Sequence, residues 1–160
     1  KVGGNYAGGM RATKKALENG CKEVLWLDAH EHKYVEEVGT SNAFFMIGDE
    51  VITAPLGGSI LPGVTRDSTI TLLRKWGYKV SERRLSIQEI EEASKNGSLQ
   101  EAWATGTACV ISPIGYLRYM DRDIVIHGGG VGPVSQKLYD HIYGMQTGVV
   151  ADDMGWIVQL

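Results

Sequence analysis

The chain has 160 residues, of which 43% are hydrophobic and 22% charged, so it is long and apolar enough for one domain with its own core. Its 16 basic and 19 acidic residues give a net charge of −3, which argues against a nucleic acid partner. Two cysteines are too few for a disulfide framework. Because neither a membrane-spanning apolar run nor an export leader is present, we expect no membrane association and a cytoplasmic location.

Hydrophobic periodicity alternates between helical and extended patterns along the chain, which predicts one domain of mixed α+β class. A first helix is predicted over residues 6–19, with Met10, Thr13 and Leu17 on one face. A buried strand over residues 23–28 follows it. Three further β-rich segments, separated by turn residues, indicate a small antiparallel meander: 34–38, 43–47 and 50–54.

The middle of the chain contains the clearest helix signals. Residues 65–77 carry four side chains at i, i+3, i+4 and i+7 spacing, which predicts an amphipathic helix: Thr69, Leu72, Leu73 and Trp76. A strand over residues 78–85 comes next. Ser86 and Glu89 then form a capping box, so we expect a third helix that runs through Asn96.

The last third of the chain continues the same alternation. Extended segments over 101–104 and 108–111 flank a bend at residues 105–107, and residues 117–126 have the pattern of a hairpin. Pro133 occupies a favoured first helical position, which predicts a final helix. Four apolar side chains of that helix are expected to face inward: Val134, Leu138, Ile142 and Met145.

Three segments could bind an anion or a bulky ligand. Residues 61–66 combine backbone N–H groups, a hydroxyl and the positive end of a helix, which suits a phosphate; the alternative is an ordinary helix start capped by threonine. Residues 105–108 offer further hydroxyl and N–H groups, or are only a bend in a sheet. Lys1 places an amine beside two glycines, although a solvated terminus has the same pattern.

Two further polar features allow more than one interpretation. Glu37 interrupts a strand-like pattern; it is either a solvated surface carboxylate or, if it points inward, the partner of a group such as a protonated ring nitrogen. His30 and His32 follow Asp28 at alternating positions but lack a convincing third ligand. We therefore interpret residues 28–32 as a polar loop and expect no metal site.

Four short motifs occur in a characteristic order: Lys-x-Gly-Gly-Asn-Tyr from Lys1, Glu-Val-Gly-Thr-x-Asn from Glu37, Leu-Pro-Gly-Val-Thr-Arg from Leu61, and Gly-Thr-Ala from Gly106. In this order the chain closely resembles the branched-chain amino acid aminotransferases, pyridoxal phosphate enzymes of fold type IV, over essentially its whole length. The resemblance implies the β-rich large domain of the D-amino acid aminotransferase-like architecture, with packed helices. Residues 1–160 would be its C-terminal, cofactor-binding domain, without the smaller N-terminal domain.

The resemblance also assigns roles around the cofactor, pyridoxal 5'-phosphate. Lys1 would form the Schiff base with it and then move the proton at the substrate Cα. Tyr6 would bond the phenolic oxygen, Glu37 would face the pyridine nitrogen, and Leu61 would pack on the ring. The remaining residues would hold the phosphate (Gly63, Val64, Thr65 and Thr107) or the substrate carboxylate (Thr107 and Ala108).

The reaction implied by the resemblance is transfer of the amino group of L-leucine, L-isoleucine or L-valine to 2-oxoglutarate, which gives L-glutamate and a branched 2-oxo acid. Two enzymes of the same fold are alternatives, a D-amino acid aminotransferase and an aminodeoxychorismate lyase. A third alternative is an inactive fragment, because the N-terminal domain would contribute an arginine to the phosphate and part of the substrate pocket. The family also implies a homodimer.

Overall fold

Residues 2–158 are described by a computed structural model, and this part of the chain contains a 3-10 segment, Gly3–Gly9, four α-helices and nine β-strands. The helices are α1 (Met10–Glu18), α2 (Val64–Lys75), α3 (Ile87–Lys95) and α4 (Pro133–Gln146). The strands are β1 (Leu25–Leu27), β2 (Val35–Val38), β3 (Ser41–Ile47), β4 (Glu50–Thr53), β5 (Lys79–Glu82), β6 (Leu99–Gly106), β7 (Val110–Pro113), β8 (Tyr116–Tyr119) and β9 (Arg122–Val125). Within these residues, none of the helices has the length and apolar character needed to cross a bilayer.

Strand β3 is the centre of a seven-stranded sheet. Along one edge it pairs antiparallel with β6; along the other it pairs antiparallel with β2 near its start and with β4 towards its end. The sheet is extended by β1 beside β2, by β7 beside β6, and by β5, which runs parallel to β4. Strands β8 and β9 form a separate antiparallel hairpin. The fold is therefore of mixed α+β class, as the sequence predicts.

Each face of the large sheet has its own apolar core. Because neighbouring side chains of a strand point to opposite faces, Phe44 and Phe45 of β3 enter different cores. Phe45 packs with α3 and the β8–β9 hairpin, whereas Phe44 packs with α2 and α4 and stacks on Trp103 at a ring-centroid distance of 5.6 Å. Asn42 lies two residues before Phe44 and so belongs to the face covered by α2 and α4.

Most of the predicted elements are confirmed. The β2–β3–β4 meander forms, residues 116–125 make the hairpin, and α4 begins at Pro133 with the four expected side chains buried. In α2, Thr69, Leu72 and Leu73 are fully buried. The capping box is also present, since the Ser86 side chain accepts a hydrogen bond of 3.1 Å from the Glu89 amide.

The predicted first helix is wrong over its first part. Residues 3–9 form a 3-10 segment, and α1 begins only at Met10, because glycines have low helix propensity and four of these seven residues are glycine. The face carrying Met10 and Leu17 is solvent-exposed. The strand predicted over 23–28 is shorter, Leu25–Leu27, and only half-buried, because β1 is an edge strand with a single partner.

Two further boundaries differ from the prediction because of strand pairing. Strand β5 stops at Glu82 because its parallel partner β4 ends opposite it, at Thr53. The bend predicted at 105–107 falls instead on residues 107–109. Strand β6 continues to Gly106 because Thr105 is paired with Asn42 of β3 on one side and with Ile111 of β7 on the other.

The buried carboxylate of Glu101, a residue of β6, caps the start of α4. One oxygen accepts a hydrogen bond of 2.9 Å from the Val134 amide, and the other accepts bonds from the amide and the hydroxyl of Ser135, at 2.9 and 3.0 Å. These donors and the positive helix end offset the cost of burying the charge. Gly132 makes the contact possible, since a Cβ there would overlap the Glu101 side chain.

We predict that Glu101→Gln lowers the free energy of unfolding by about 1–3 kcal/mol, because an amide NH2 group cannot accept the bonds that the helix N–H groups donate. The measurement is urea denaturation followed by circular dichroism. Glu92→Gln, on the exposed side of α3, is the matched control and should change stability by less than about 0.5 kcal/mol. If the two variants have equal free energies of unfolding, the Glu101 cap does not contribute to the stability of the fold.

Candidate functional site

A pocket of about 310 Å³ lies between the start of the chain, the β2–β3 turn and the loop that precedes α2. Its wall contains three residues singled out in the sequence, namely Tyr6, Glu37 and Leu61. The turn at 39–40 and the loop at 58–62 supply the rest of the wall. A larger pocket of about 780 Å³, between α1, β1 and the β8–β9 hairpin, contains none of the predicted site residues.

Glu37 is half-buried at the end of β2 and accepts hydrogen bonds from N–H groups of Asn42 and Leu61. Its Oε1 accepts a hydrogen bond of 3.1 Å from Asn42 Nδ2 and another of 3.1 Å from the backbone amide of Leu61. Both are charge-assisted bonds, which are stronger and more directional than bonds between neutral groups. The carboxylate is therefore bound to the sheet and to the loop before α2.

Asn42 is the residue of this site to which sequence reasoning assigned no role. It is only 4% exposed, and its Nδ2 donates to the Leu61 carbonyl at 2.9 Å as well as to Glu37. Within the sheet it is the direct partner of Glu37 in β2 and of Thr105 in β6. An amide directly before the five apolar residues 43–47 of β3 is the signal that singles it out, because a buried polar group needs specific partners.

The loop before α2 is attached to the sheet at both ends. At its far end Leu61 bonds to Asn42, as described above. Near its start, the buried guanidinium of Arg66 donates to the Ala54 carbonyl at 2.8 Å and to Glu82 Oε2 at 2.9 Å. This hydrogen bond from Arg66 lowers the pKa of the Glu82 carboxyl. The loop is thus fixed relative to the start of α2.

Helix α2 begins one residue earlier than predicted, at Val64, and its N-cap is Gly63 rather than a threonine. The first bond within the helix runs from the Asp67 amide to the Gly63 carbonyl, at 3.0 Å. The amides of residues 64–66 therefore precede the helical ladder, where the macrodipole is positive. Val64 is exposed and Thr65 is half-buried, so this helix start can receive an anion such as a phosphate.

Thr107 and Ala108 are exposed in the turn between β6 and β7. This turn follows Thr105, whose buried hydroxyl has no hydrogen-bond partner among the described residues. The turn ends at Val110, which has a φ of 55°. Such an angle is a rare one for a β-branched residue, so the turn is conformationally constrained. Because Thr105 pairs with Asn42, and Asn42 with Glu37, the turn lies at the same end of the sheet as the pocket.

Two further features are singled out in the sequence, Lys1 and the loop at residues 28–32, and this loop is not part of the pocket wall described above. Lys1, the predicted covalent attachment point, falls outside residues 2–158. The Asp28 side chain organises its loop by accepting hydrogen bonds from the amides of Tyr34, Glu31 and Lys33, which hold the pKa of its carboxyl well below the usual range. His30 and His32 are exposed in that loop, and residues 2–158 contain no cluster of three or more ligands placed for a metal.

Comparison with known proteins identifies the family. Residues 1–116 match the family described as amino-transferase class IV, and this chain belongs to that family. Branched-chain-amino-acid aminotransferase 2 of Bacillus subtilis (strain 168) is 50% identical over 160 residues, which are all of this chain and 44% of the relative. The chain thus spans less than half the length of that relative.

Solved structures confirm the expected fold type IV architecture. The branched-chain amino acid aminotransferase of Escherichia coli superimposes with a TM-score of 0.82 at 30% identity, over 99% of this chain and 48% of that one. The branched-chain amino acid aminotransferase of T.th., crystallised with N-(5'-phosphopyridoxyl)-L-glutamate, gives 0.79 at 31% identity, over 99% and 49%. A second structure of that enzyme contains 4-methylvaleric acid.

We predict that Gly63→Ala disturbs the site, because the added Cβ would overlap the Asn42 side-chain oxygen. The overlap should lower the free energy of unfolding by about 1–3 kcal/mol. Gly57→Ala, in the same loop, is the control, since a Cβ there meets no heavy atom within 4 Å. Thermal and urea unfolding of both variants measure the difference. A Gly63→Ala protein as stable as the Gly57→Ala protein would contradict close packing of Asn42 against the start of α2.

Proposed function

We propose that this chain forms the cofactor-binding part of a branched-chain amino acid aminotransferase, which uses pyridoxal 5'-phosphate to transfer the amino group of L-leucine, L-isoleucine or L-valine to 2-oxoglutarate. The observation that carries the proposal is the Glu37 carboxylate, fixed in a pocket wall together with Tyr6 and Leu61. The name of the Bacillus subtilis relative, at 50% identity over the whole chain, supports the same activity.

The residues of the pocket fit the chemical groups of pyridoxal phosphate. The ring nitrogen requires an acid, the ring face an apolar side chain, the phenolic oxygen a hydroxyl donor, and the phosphate several N–H groups. The acid would be Glu37, the apolar side chain Leu61 and the hydroxyl donor Tyr6. The N–H groups for the phosphate would be the backbone amides of residues 64–66, which precede the first hydrogen bond of α2. When bound, this cofactor supplies an electron sink that allows the amino acid to lose its Cα proton.

Each group of the chain has a distinct task in this proposal. The Glu37 carboxylate would hold the proton on the ring nitrogen, and a half-buried carboxylate does this better than water because the opposite charges attract more strongly where solvent is partly excluded. The Tyr6 hydroxyl donates to the phenolic oxygen. The Leu61 side chain covers the ring and excludes water. Lys1 would supply the amine that holds the cofactor, and once the amino group of the substrate has displaced it, the freed amine would carry the proton at the substrate Cα.

In this proposal the phosphate binds at the start of α2 and at the β6–β7 turn, and the substrate carboxylate binds at the same turn. Gly63, Val64 and Thr65 at the start of α2, together with the Thr107 hydroxyl, hold the phosphate by N–H and O–H donation. The backbone of Thr107 and Ala108 receives the substrate carboxylate. This arrangement places the amino acid between the β6–β7 turn and the pocket wall.

The substrate side chain and the remainder of the pocket belong to the proposal as well. The T.th. enzyme has been crystallised with 4-methylvaleric acid, a branched apolar acid, which supports an apolar side-chain pocket in a related protein. Since this chain spans 44% of the Bacillus subtilis relative, we propose that residues 1–160 are the C-terminal domain and that a smaller N-terminal domain supplies the rest of the pocket. A homodimer is part of the same proposal.

The proposal is tested on the full-length gene product that contains this chain. We expect transamination of L-leucine with 2-oxoglutarate, and little or no turnover of D-alanine or aminodeoxychorismate. Lys1→Ala should abolish both turnover and the visible absorbance of bound cofactor, because it removes the amine that bonds the aldehyde. Lys95→Ala, at the exposed end of α3, is the control and should behave as the wild type.

Three results would contradict the proposal. Preferred turnover of D-alanine or of aminodeoxychorismate would assign the protein to another activity of the same fold. Absence of any turnover in a folded, cofactor-loaded protein would reject the aminotransferase function. Unchanged visible absorbance in Lys1→Ala would remove Lys1 from the covalent role.

A further inference from the structure

We infer that Asn42 is a positioning residue for the cofactor site. Its side-chain amide bonds to both the Glu37 carboxylate and the Leu61 main chain. It thereby fixes the position of the acid that would face the ring nitrogen relative to the apolar side chain that would cover the ring. The inference rests on the proposed function, since it concerns the way in which Glu37 meets the ring nitrogen. It adds to that function a residue that acts through Glu37 and Leu61 and not by touching the reacting atoms.

The orientation of the Asn42 amide follows from its two partners. Nδ2 donates to Glu37 Oε1 at 3.1 Å and to the Leu61 carbonyl at 2.9 Å, and both partners are acceptors only. Exchanging the amide nitrogen and oxygen would place an oxygen against two other oxygens. Both hydrogens of a single NH2 group are therefore committed, one to the carboxylate and one to the loop.

The Asn42 backbone is held as firmly as its side chain. Strand β3 has a neighbouring strand on both edges at this position, with Glu37 of β2 opposite Asn42 on one side and Thr105 of β6 opposite it on the other. Gly63 approaches the side-chain oxygen so closely that a Cβ there would overlap it. With only 4% of its surface exposed, Asn42 has no alternative rotamer directed at solvent. The side-chain amide of Asn42 therefore has a fixed position between the sheet, the loop before α2 and the start of α2.

The bonding pattern distinguishes this amide from one that only stabilises the strand. Both donated bonds of Asn42 end on groups of the pocket wall, Glu37 across the β2–β3 turn and Leu61 in the loop before α2, 19 residues away in sequence. Glu37 Oε1 receives bonds from Asn42 and from the Leu61 amide. Loss of Asn42 removes one of these two donors directly and also removes one of the bonds that position the Leu61 segment, which carries the other.

The test compares cofactor affinity with stability in the full-length protein. We expect Asn42→Ala to weaken binding of pyridoxal 5'-phosphate to the apoprotein about tenfold, measured by equilibrium dialysis, because a hydrogen bond to a charged group is lost. Thr53→Val is the matched control. Its hydroxyl makes an equally buried bond of 2.7 Å to the Ala43 carbonyl, and this bond does not contact the pocket. It should cost similar stability in urea but change cofactor affinity less than about twofold.

A double-mutant cycle with Glu37 tests whether Asn42 acts through that residue. In a Glu37→Ala background, Asn42→Ala should weaken cofactor binding by no more than about threefold, because the carboxylate that it positions is already absent. If Asn42→Ala does not fold, Asn42→Leu replaces it in both backgrounds. Leucine is used instead of aspartate, because a second carboxylate beside Glu37 would add like-charge repulsion. Leucine branches at the same carbon and donates neither bond, so the same loss of affinity is expected.

The outcomes separate this inference from the proposed function. If Glu37→Ala alone leaves cofactor affinity unchanged, the proposed contact between Glu37 and the ring is rejected and the inference falls with it. If Glu37→Ala weakens binding but Asn42→Ala behaves as Thr53→Val does, only the positioning role is overturned. Full additivity of the two substitutions likewise overturns it, whereas a strongly reduced second effect supports it.

Discussion

The candidate site depends on one buried NH2 group, the side-chain amide of Asn42. Its two hydrogen bonds join the end of β2 to the loop before α2, two segments that are far apart along the chain. Without this link, the direct bond from the Leu61 amide to Glu37 would remain, but neither group would be attached to the central strand β3 through the side chain of Asn42. Pairing of β3 on both edges gives the amide the fixed position that such a link requires.

The two cores keep this arrangement rigid from opposite sides. On one face, Leu72 and Leu73 pack α2 against the sheet, which fixes the direction in which the helix start points. On the other face, Phe45 of β3 packs against the apolar side chains of α3. Burial of these apolar side chains is the main source of stability. The polar row formed by Glu37, Asn42 and Thr105 lies at the end of the sheet, beside the start of α2, where a polar ligand can enter.

Much of the fold could be predicted from local signals, because caps and periodicity act over a few residues. The capping box at Ser86, the proline at the start of α4 and the apolar spacing in α2 each determined an element correctly. The resemblance to branched-chain aminotransferases singled out Tyr6, Glu37 and Leu61, which the structure brings together in one pocket.

The remaining features depend on contacts that are distant in sequence. The length of β6 and the position of its turn follow from pairing with β3 about 60 residues earlier. The short α1 reflects glycines whose helix cost is not offset by packing, since none of the α1 side chains is buried. The role proposed for Asn42 depends on its partners in β2 and in the loop, which no local sequence pattern indicates. Contact between Glu37 and the cofactor ring is best tested by 15N nuclear magnetic resonance of pyridoxal 5'-phosphate, labelled at the ring nitrogen and bound to the full-length protein. We expect a protonated ring nitrogen in the wild type and loss of that proton in Glu37→Gln. A neutral ring nitrogen in the wild type, or the same protonation in both proteins, would contradict this contact.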